Sequence, residues 1–235
     1  VNVPTYGTAS VSQYSIALLL EICHHIGHHS ASVHAGNWAS NPDWCYWDYP
    51  LIELEGKTIG IIGFGRIGQA EGRIAKALGM NVLAYDKFPN PDAGLHYVDL
   101  PELFAKADVI SLHCPLTEET HHMIDDAAVE QMKKGVVIVN TSRGGLIDTE
   151  SLITGIKVGI VGAACLDVYE EEGDLFYEDF SGSVIQDDKL VRLIAMPNVI
   201  VTSHQAFLTK EALDNIAHTT VENMVKFEKG IESPD

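Results

Sequence analysis

The sequence predicts an α/β protein with a doubly wound parallel sheet, and two observations lead to that fold class. From residue 57 onward, short apolar runs alternate with segments of helical periodicity, which is the pattern of a parallel sheet covered on both faces. The first run leads into a glycine-rich turn, GFGRIG, that begins a helix, as in Rossmann-type folds. The 235 residues, 46% hydrophobic and 20% charged, are enough to bury such a core.

The elements of the predicted sheet follow in order along the chain. Apolar runs predict six strands, at 58–62, 82–85, 109–112, 136–139, 161–166 and 199–202. The segments between them predict helices at 66–79, 100–106, 125–133 and 148–157, and a last amphipathic helix is expected at about 209–229. The acidic stretch 170–188 interrupts the alternation and is expected to be a long loop, a feature that is often functional.

Before the sheet, the sequence predicts one long helix over 8–37, with apolar residues at helical spacing from Ile16 to Ile26. An irregular loop, 38–50, follows and is dense in aromatic residues, including Trp38, Trp44 and Trp47. Exposed aromatics at this density are typical of an interface, although the loop could instead pack on its own core.

Charge and composition exclude several classes of function. A formal net charge of −18, with no basic cluster, disfavours binding to nucleic acid or to an anionic membrane surface. No apolar stretch is long enough to span a bilayer, and the first residues do not resemble a signal peptide. The four cysteines have no CxxC spacing, so we expect free thiols in a reducing cytoplasm.

The glycine-rich turn predicts a dinucleotide site. Gly63 would form the tight turn, Gly65 would let the backbone approach a pyrophosphate, and Gly68 would let the helix pack on the strand. The helix N-terminus would present free N–H groups to the phosphates. Asp86, at the end of the next strand, would accept hydrogen bonds from a ribose and repel a 2′-phosphate, which favours NAD over NADP. The cofactor candidates of this motif are Gly63, Gly65, Arg66, Ile67, Gly68 and Asp86.

Two further residues lie where strands of the predicted sheet end, and ligands of such sheets bind there. Arg143 follows the fourth strand and suits a substrate carboxylate, because its guanidinium can donate two parallel hydrogen bonds. His204 follows the last strand and suits general acid–base catalysis. A carboxylate beside His204 would favour the imidazolium, but the residues alone do not choose among Glu170, Glu171 and Glu172.

Four segments together resemble the D-2-hydroxyacid dehydrogenase family: 63–68, 140–145, 166–172 and 203–207. The resemblance covers nearly the whole chain and implies that Arg143, Glu172 and His204 are the catalytic residues. It also implies that Asp167 holds the nicotinamide carboxamide and that Tyr6 and Phe207 reach the substrate. The remaining cofactor contacts that it implies are Thr141, Ser142, His113, Cys114 and Pro115.

The resemblance also implies a domain organisation. Residues 1–207 would form the NAD-binding domain, with the long helix and the aromatic loop as dimerisation surfaces of a two-fold homodimer. Residues 208–235 would return towards a substrate domain whose N-terminal segment is absent, and a chain without that segment would turn over poorly.

The likeness is uneven along the chain. The first third, including Ile22–His25, looks most like glycerate dehydrogenases, also called hydroxypyruvate reductases, whereas the later two-thirds, including Gln205–Thr209, looks like D-lactate dehydrogenases. Since residues beside His204 would line the pocket, pyruvate and D-lactate are the favoured pair, with hydroxypyruvate or glyoxylate reduction as the alternative. A non-catalytic NAD sensor, like the corepressors with this fold, is the alternative of another class.

Histidines are concentrated on the first predicted helix, at His24, His25, His28, His29 and His34. Pairs four residues apart are able to chelate a transition metal. No carboxylate or cysteine stands at a matching spacing, and hydride transfer needs no metal, so we expect a polar helix face and no metal site. His121 and His122 are likewise expected to be surface residues.

Overall fold

The structure is a computed structural model, and it describes residues 3, 5–90, 96–172 and 187–230. In these ranges seven strands form one sheet, in which every neighbouring pair is parallel. The strands are β1 (Thr58–Ile62), β2 (Asn81–Tyr85), β3 (His96–Tyr97), β4 (Val109–Leu112), β5 (Val136–Asn140), β6 (Val161–Leu166) and β7 (Val199–Val201). The Rossmann-type, doubly wound fold class is therefore confirmed.

The order of the strands across the sheet fixes where a ligand can enter. It runs β3-β2-β1-β4-β5-β6-β7, so the chain reverses its direction of travel between β1 and β4. At such a switch point the connections after the two central strands diverge to opposite faces and leave a crevice at their carboxyl ends. The glycine-rich turn follows β1, and residues 113–115 follow β4, so both border that crevice.

The strands bury both faces of the sheet, which explains why they appear in the sequence as continuous apolar runs. On β1, Ile59 and Ile61 belong to one core cluster and Ile62 belongs to the other. On β5, Val137 and Ile138 divide in the same way. Successive side chains of a strand point to opposite faces, so each run supplies two cores.

Helices cover the two faces. Those in the described ranges are α1 (Thr8–His24), α2 (Ile26–His34), α3 (Arg66–Ala77), α4 (Leu100–Lys106), α5 (Asp126–Glu130), α6 (Thr149–Val158), α7 (Asp188–Ile194) and α8 (Lys210–Glu228). Leu19 of α1 and Ala75 of α3 pack in the core cluster of Ile59, whereas Leu103 of α4 and Leu152 of α6 pack in the cluster of Ile62. None of the described helices is both long and apolar enough to cross a bilayer.

Strand β3 and helix α7 were missed by the sequence patterns. Strand β3 has only two residues, His96 and Tyr97, and therefore shows no apolar run. Helix α7 begins where the predicted acidic loop ends, and the Asp187 side chain caps it by accepting hydrogen bonds from two backbone N–H groups. Of that predicted loop, residues 173–186 lie outside the described residues.

The prediction of one helix over 8–37 is wrong. His25 has left-handed backbone angles, φ 49° and ψ 40°, and separates α1 from α2. Its N–H donates to the Glu21 carbonyl, while the Glu21 side chain accepts from the N–H of Gly27. These contacts end one helix and turn the chain into the next, so Ile26 is 61% exposed instead of continuing the apolar stripe.

Candidate active site

The glycine-rich turn is shaped for close approach of a ligand to the backbone. Gly63 has φ 92°, and a Cβ there would lie 2.4 Å from the backbone nitrogen of Cys114. A Cβ on Gly68 would lie 2.4 Å from the Gly63 carbonyl oxygen, so the helix packs directly on the turn. A Cβ on Gly65, in contrast, would meet nothing within 4 Å. The turn is thus compact on its protein side and open on its outer side, which fits a pyrophosphate at the N-terminus of α3.

Asp86 directly follows the neighbouring strand β2, at the position that the sequence predicted. Its carboxylate accepts hydrogen bonds from the backbone N–H of Phe64, at 2.7 Å, and of Phe88, at 2.8 Å. The first contact ties the end of β2 to the glycine-rich turn. The next residue, Lys87, forms an ion pair with Glu119, so its charge is balanced away from Asp86.

The residues after β4 border the crevice mainly with their backbone. The His113 ring points inward, where its Nε2 lies 2.7 Å from Oε2 of Glu71 on α3, and both side chains are 1% exposed. The Ser111 hydroxyl donates to the other Glu71 oxygen at 3.0 Å. Cys114 is also buried, and that burial raises its pKa to about 11. Pro115 is exposed. The His113 side chain is therefore part of a buried polar network beneath the cofactor site.

The loop after β5 is held by a buried side chain, Asn140. Its Oδ1 accepts from the Ser142 N–H at 3.0 Å, and its Nδ2 donates to the Arg143 carbonyl at 2.9 Å. The Ser142 hydroxyl donates to the Cys114 carbonyl at 2.7 Å, and the Thr141 hydroxyl lies 2.8 Å from that of Ser15. The Arg143 guanidinium is exposed, and one of its nitrogens donates to the Ser142 carbonyl. The Arg143 backbone is therefore held by Asn140, while its guanidinium faces solvent.

His204 and Glu172 come together although 32 residues separate them in the sequence. His204 Nδ1 lies 3.0 Å from Glu172 Oε1, and both side chains are partly buried. The other oxygen of Glu172 accepts from the Tyr169 N–H at 3.1 Å, which fixes the carboxylate in the loop. The pair has the geometry of a general acid–base histidine oriented by a carboxylate.

The structure distinguishes the three neighbouring glutamates among which the residue pattern did not choose a partner for His204. Glu171 is exposed, 3.8 Å from the Lys189 ammonium. Glu170 accepts from the backbone N–H and hydroxyl of Thr149 and lies 2.5 Å from His122 Nε2. Burial on its own would raise the pKa of Glu170, but the hydrogen bonds from Thr149 and His122 outweigh it and lower the pKa. Of the three, only Glu172 contacts His204.

The same contacts correct the prediction that His122 is a surface residue. Its ring is half-buried between Glu170 and Asp148, and it has a left-handed backbone with φ 52°. The backbone hydrogen bond from Ser151 is the main cause that lowers the pKa of Asp148, with a smaller contribution from the His122 charge. The signal in the sequence was weak, because both acidic partners are distant along the chain.

Asp167 organises the segment that carries His204. Its carboxylate is fully buried and accepts hydrogen bonds from the Thr202 hydroxyl, the Gln205 N–H and the Ala206 N–H, at 2.6, 2.9 and 2.7 Å. Its backbone carbonyl accepts from the His204 N–H at 2.8 Å. These three donors already occupy most of the carboxylate's hydrogen-bonding capacity. The contact with a nicotinamide carboxamide that the resemblance implies stays a prediction.

A cleft of about 500 Å³ at the carboxyl ends of the strands brings most of the predicted residues together. The predicted residues that line it are Tyr6, Gly65, Arg66, Ile67, Gly68, His113, Thr141, Ser142, Arg143, Asp167, His204 and Phe207. The Phe207 ring packs edge-on to both the Tyr6 ring, at 6.1 Å, and the His204 ring, at 6.5 Å. Gly63, Asp86, Cys114, Pro115 and Glu172 are not among the residues that line this cleft. The roles of all these residues stay predictions.

Sequence reasoning missed three residues that shape the site: Asn140, Glu71 and Thr202. Asn140 is a polar residue at the end of an apolar strand. That position is a sequence signal that could have identified it. Glu71 is an acid on the helical face that packs against the sheet, where burial of a carboxylate requires a partner. Thr202 carried no comparable signal, because its hydroxyl contacts Asp167 through the tertiary fold alone.

Comparison with known proteins places these features in a family. Residues 16–206 match the model described as "D-isomer specific 2-hydroxyacid dehydrogenase, NAD binding domain". The chain is 50% identical to a hydroxypyruvate reductase of Blautia hydrogenotrophica, over 97% of the chain and 68% of that protein. It is 46% identical to a D-lactate dehydrogenase of Escherichia coli, over 100% and 70%. A solved structure of the pyruvate reductase of Chlamydomonas reinhardtii superposes with a TM-score of 0.90 at 38% identity, over 100% and 70%.

Proposed function

The chain belongs to the D-isomer-specific 2-hydroxyacid dehydrogenase family, whose members interconvert 2-oxo and 2-hydroxy acids with NAD, and we propose that its preferred substrates are pyruvate and D-lactate. We also propose that Arg143, Glu172 and His204 carry out the reaction. The observation that carries the proposal is the 3.0 Å contact between His204 and Glu172 at a cleft that Arg143 and the glycine-rich turn also line.

The residues present fit a bound dinucleotide. The open side of Gly65 and the N-terminus of α3 would hold the pyrophosphate, and Asp86 stands at the strand end where a ribose would lie. NADH, when bound, supplies the hydride that reduces the carbonyl carbon of the substrate. Thr141 and Ser142, which also line the cleft, would border the cofactor.

The chain's own residues would bind the acid and move the proton. The exposed guanidinium of Arg143 would exchange its contact with the Ser142 carbonyl for the substrate carboxylate. Glu172 would hold His204 through Nδ1 and stabilise the imidazolium. His204 would donate its proton, through Nε2, to the carbonyl oxygen as the carbon receives the hydride, and it would recover a proton from solvent. The products are a 2-hydroxy acid and NAD⁺.

The choice of substrate depends on the wall beside His204. Tyr6 and Phe207 form an aromatic wall at the cleft, and an apolar ring surface suits the methyl group of pyruvate. Hydroxypyruvate is the second candidate, because the relative at 50% identity is a hydroxypyruvate reductase. The two substrates differ by one hydroxyl group, which an apolar wall rejects only weakly.

The remaining proposals concern the assembly and location of the protein. We propose a homodimer that covers the aromatic loop, where Trp44 is 87% exposed. We propose that residues 1–207 form the NAD-binding domain and that 208–235 pack on a substrate domain. The exposed apolar side chains of α8, among them Met224 and Phe227, support this. Four unpaired cysteines support a cytoplasmic location.

The test compares the full-length protein with its His204→Gln variant. NADH oxidation is measured with pyruvate, hydroxypyruvate and glyoxylate, and NADH affinity is measured separately by fluorescence. We expect pyruvate to give the highest kcat/KM, and His204→Gln to lower kcat by at least roughly 10²-fold while NADH affinity is kept. His218→Gln, an exposed histidine on α8, is the matched control and should change neither.

Each other outcome selects a different function. A higher kcat/KM with hydroxypyruvate would move the assignment to the second candidate. NADH binding without reduction of any 2-oxo acid would contradict the catalytic roles and favour an NAD-sensing protein.

A further inference from the structure

A second cluster of ligating side chains lies where α2 meets the aromatic loop. His28 and His29 are on α2, and Asp48 is near the end of the loop. Each offers one ligand atom, and the three atoms lie within 4.8 Å of one another. His28 Nε2 and Asp48 Oδ2 are 2.7 Å apart. We propose that these residues form a divalent transition-metal site, for which Zn²⁺ is the best match.

The donor set supports this choice of metal. Two imidazole nitrogens and one carboxylate oxygen are ligands that Zn²⁺ accepts in a tetrahedral site, with water in the fourth position. Ligands bound at about 2.0–2.2 Å in that geometry stand roughly 3.3–3.6 Å apart, so the contact between His28 and Asp48 would have to lengthen from 2.7 Å. Both side chains are about half exposed, at 45% and 46%, and they are therefore able to move at little cost.

An unsatisfied nitrogen gives independent support. His29 Nε2 is buried and has no hydrogen-bond partner among the described residues. A buried polar atom without a partner costs roughly 1–3 kcal/mol, and coordination to a metal would remove that cost. The other cluster of this kind in the described residues, formed by His121, His122 and Glu170, contains no buried unsatisfied atom.

The surroundings hold the rings near one another without the metal. The Tyr49 ring packs edge-on to the His28 ring at 5.2 Å, and the Tyr46 ring packs against the His29 ring at 6.4 Å. The Tyr46 hydroxyl donates to the Ser32 hydroxyl at 3.0 Å, which fastens the loop to α2. A metal here would cross-link α2 to the aromatic loop, so its role would be to stabilise that loop and not to assist hydride transfer.

The experiment titrates metal-stripped protein with ZnCl₂ by calorimetry, and with CoCl₂ by visible absorption. We expect one Zn²⁺ per chain, Co²⁺ bands of four- or five-coordinate intensity, and a thermal midpoint higher by roughly 5 °C at a hundredfold excess over Kd. His29→Ala and Asp48→Asn should each weaken binding at least roughly tenfold. Circular dichroism checks that both variants are folded.

Two controls separate this site from adventitious binding to histidine. His24→Ala removes one member of the pair four residues apart with His28, and His121→Ala removes a member of the other cluster. Neither should change the affinity. Unchanged affinity in Asp48→Asn, or an equal loss in His24→Ala, would overturn the proposal, because the metal would then be bound by histidines of the helix alone.

Discussion

Replacing Asp167 with asparagine tests whether this residue holds the segment that carries His204 in place. The carboxylate accepts three hydrogen bonds, from Thr202, Gln205 and Ala206, in a fully buried position. An amide oxygen in place of Oδ1 keeps the contacts with Thr202 and Gln205. The amide nitrogen in place of Oδ2 is a donor and faces the Ala206 N–H, so that hydrogen bond is lost and two donors oppose each other.

The magnitude follows from the one contact that cannot be kept. A hydrogen bond to a charged group contributes about 1.5–3 kcal/mol, and an unsatisfied buried donor costs a similar amount. We expect Asp167→Asn to lower the free energy of unfolding by about 2–3 kcal/mol and the thermal midpoint by roughly 5–10 °C. Because Ala206, whose hydrogen bond to residue 167 is lost, lies two residues after His204, kcat should fall at least roughly tenfold as the ring loses its position.

The assay is urea unfolding of the protein without cofactor, with kcat and NADH affinity measured on the same preparation. Asp214→Asn, an exposed change of the same kind on α8, is the control and should unfold like the wild type. An Asp167→Asn variant with unchanged stability but weakened NADH binding would refute the reasoning. The carboxylate would then serve the nicotinamide carboxamide, as the family resemblance implies, and not the segment.

Three further predictions concern other buried groups. Glu170 has a lowered pKa, so its contribution to stability is present above the unfolded value of about 4.3 and is lost as pH falls through the lower folded value. Urea unfolding should show Glu170→Gln less stable than the wild type at pH 7, and the difference in their free energies of unfolding should decrease towards pH 3. A difference that does not change with pH would contradict this. Burial raises the pKa of Cys23 and Cys114, so a thiol reagent at neutral pH should label Cys45 first, as mass spectrometry would show, and early labelling of Cys114 would refute it. Glu71→Gln replaces the carboxylate that accepts a buried hydrogen bond from Ser111 and contacts His113; it should cost about 1.5–3 kcal/mol in urea unfolding and raise KM for NADH, whereas an unchanged unfolding midpoint would count against that contact.

The fold was predictable where local pattern and tertiary burial agree. Strands β1, β4 and β6 lie where their apolar runs indicated, because both faces of a parallel sheet are buried and each residue of the run has a core to enter. The break at His25 was not predictable in this way. It depends on the Glu21 side chain capturing the Gly27 N–H, a contact that competes with the helix and that periodicity does not register.

The site was predictable as far as strand ends and motifs identify it. Arg143 and His204 lie at the cleft because carboxyl ends of parallel strands meet at one edge. The residue pattern did not distinguish Glu170 from Glu172, because their difference lies in partners 21 to 48 residues away. The proximity of His28 to Asp48 could not be predicted for the same reason, since Asp48 comes from a loop with no periodicity; the expectation of a polar helix face without a metal stays a prediction.

The backbone of His204 ties these observations together. It has φ 53°, in the left-handed region that side chains with a Cβ rarely adopt, at a cost of roughly 1–2 kcal/mol. Such a conformation persists at functional sites only when the surroundings over-determine it. Here the His204 N–H is held by the Asp167 carbonyl, and the next two N–H groups are held by the Asp167 carboxylate. In this conformation the His204 ring lies beside Glu172, so the residue that fixes the segment also supports the proposed catalytic pair.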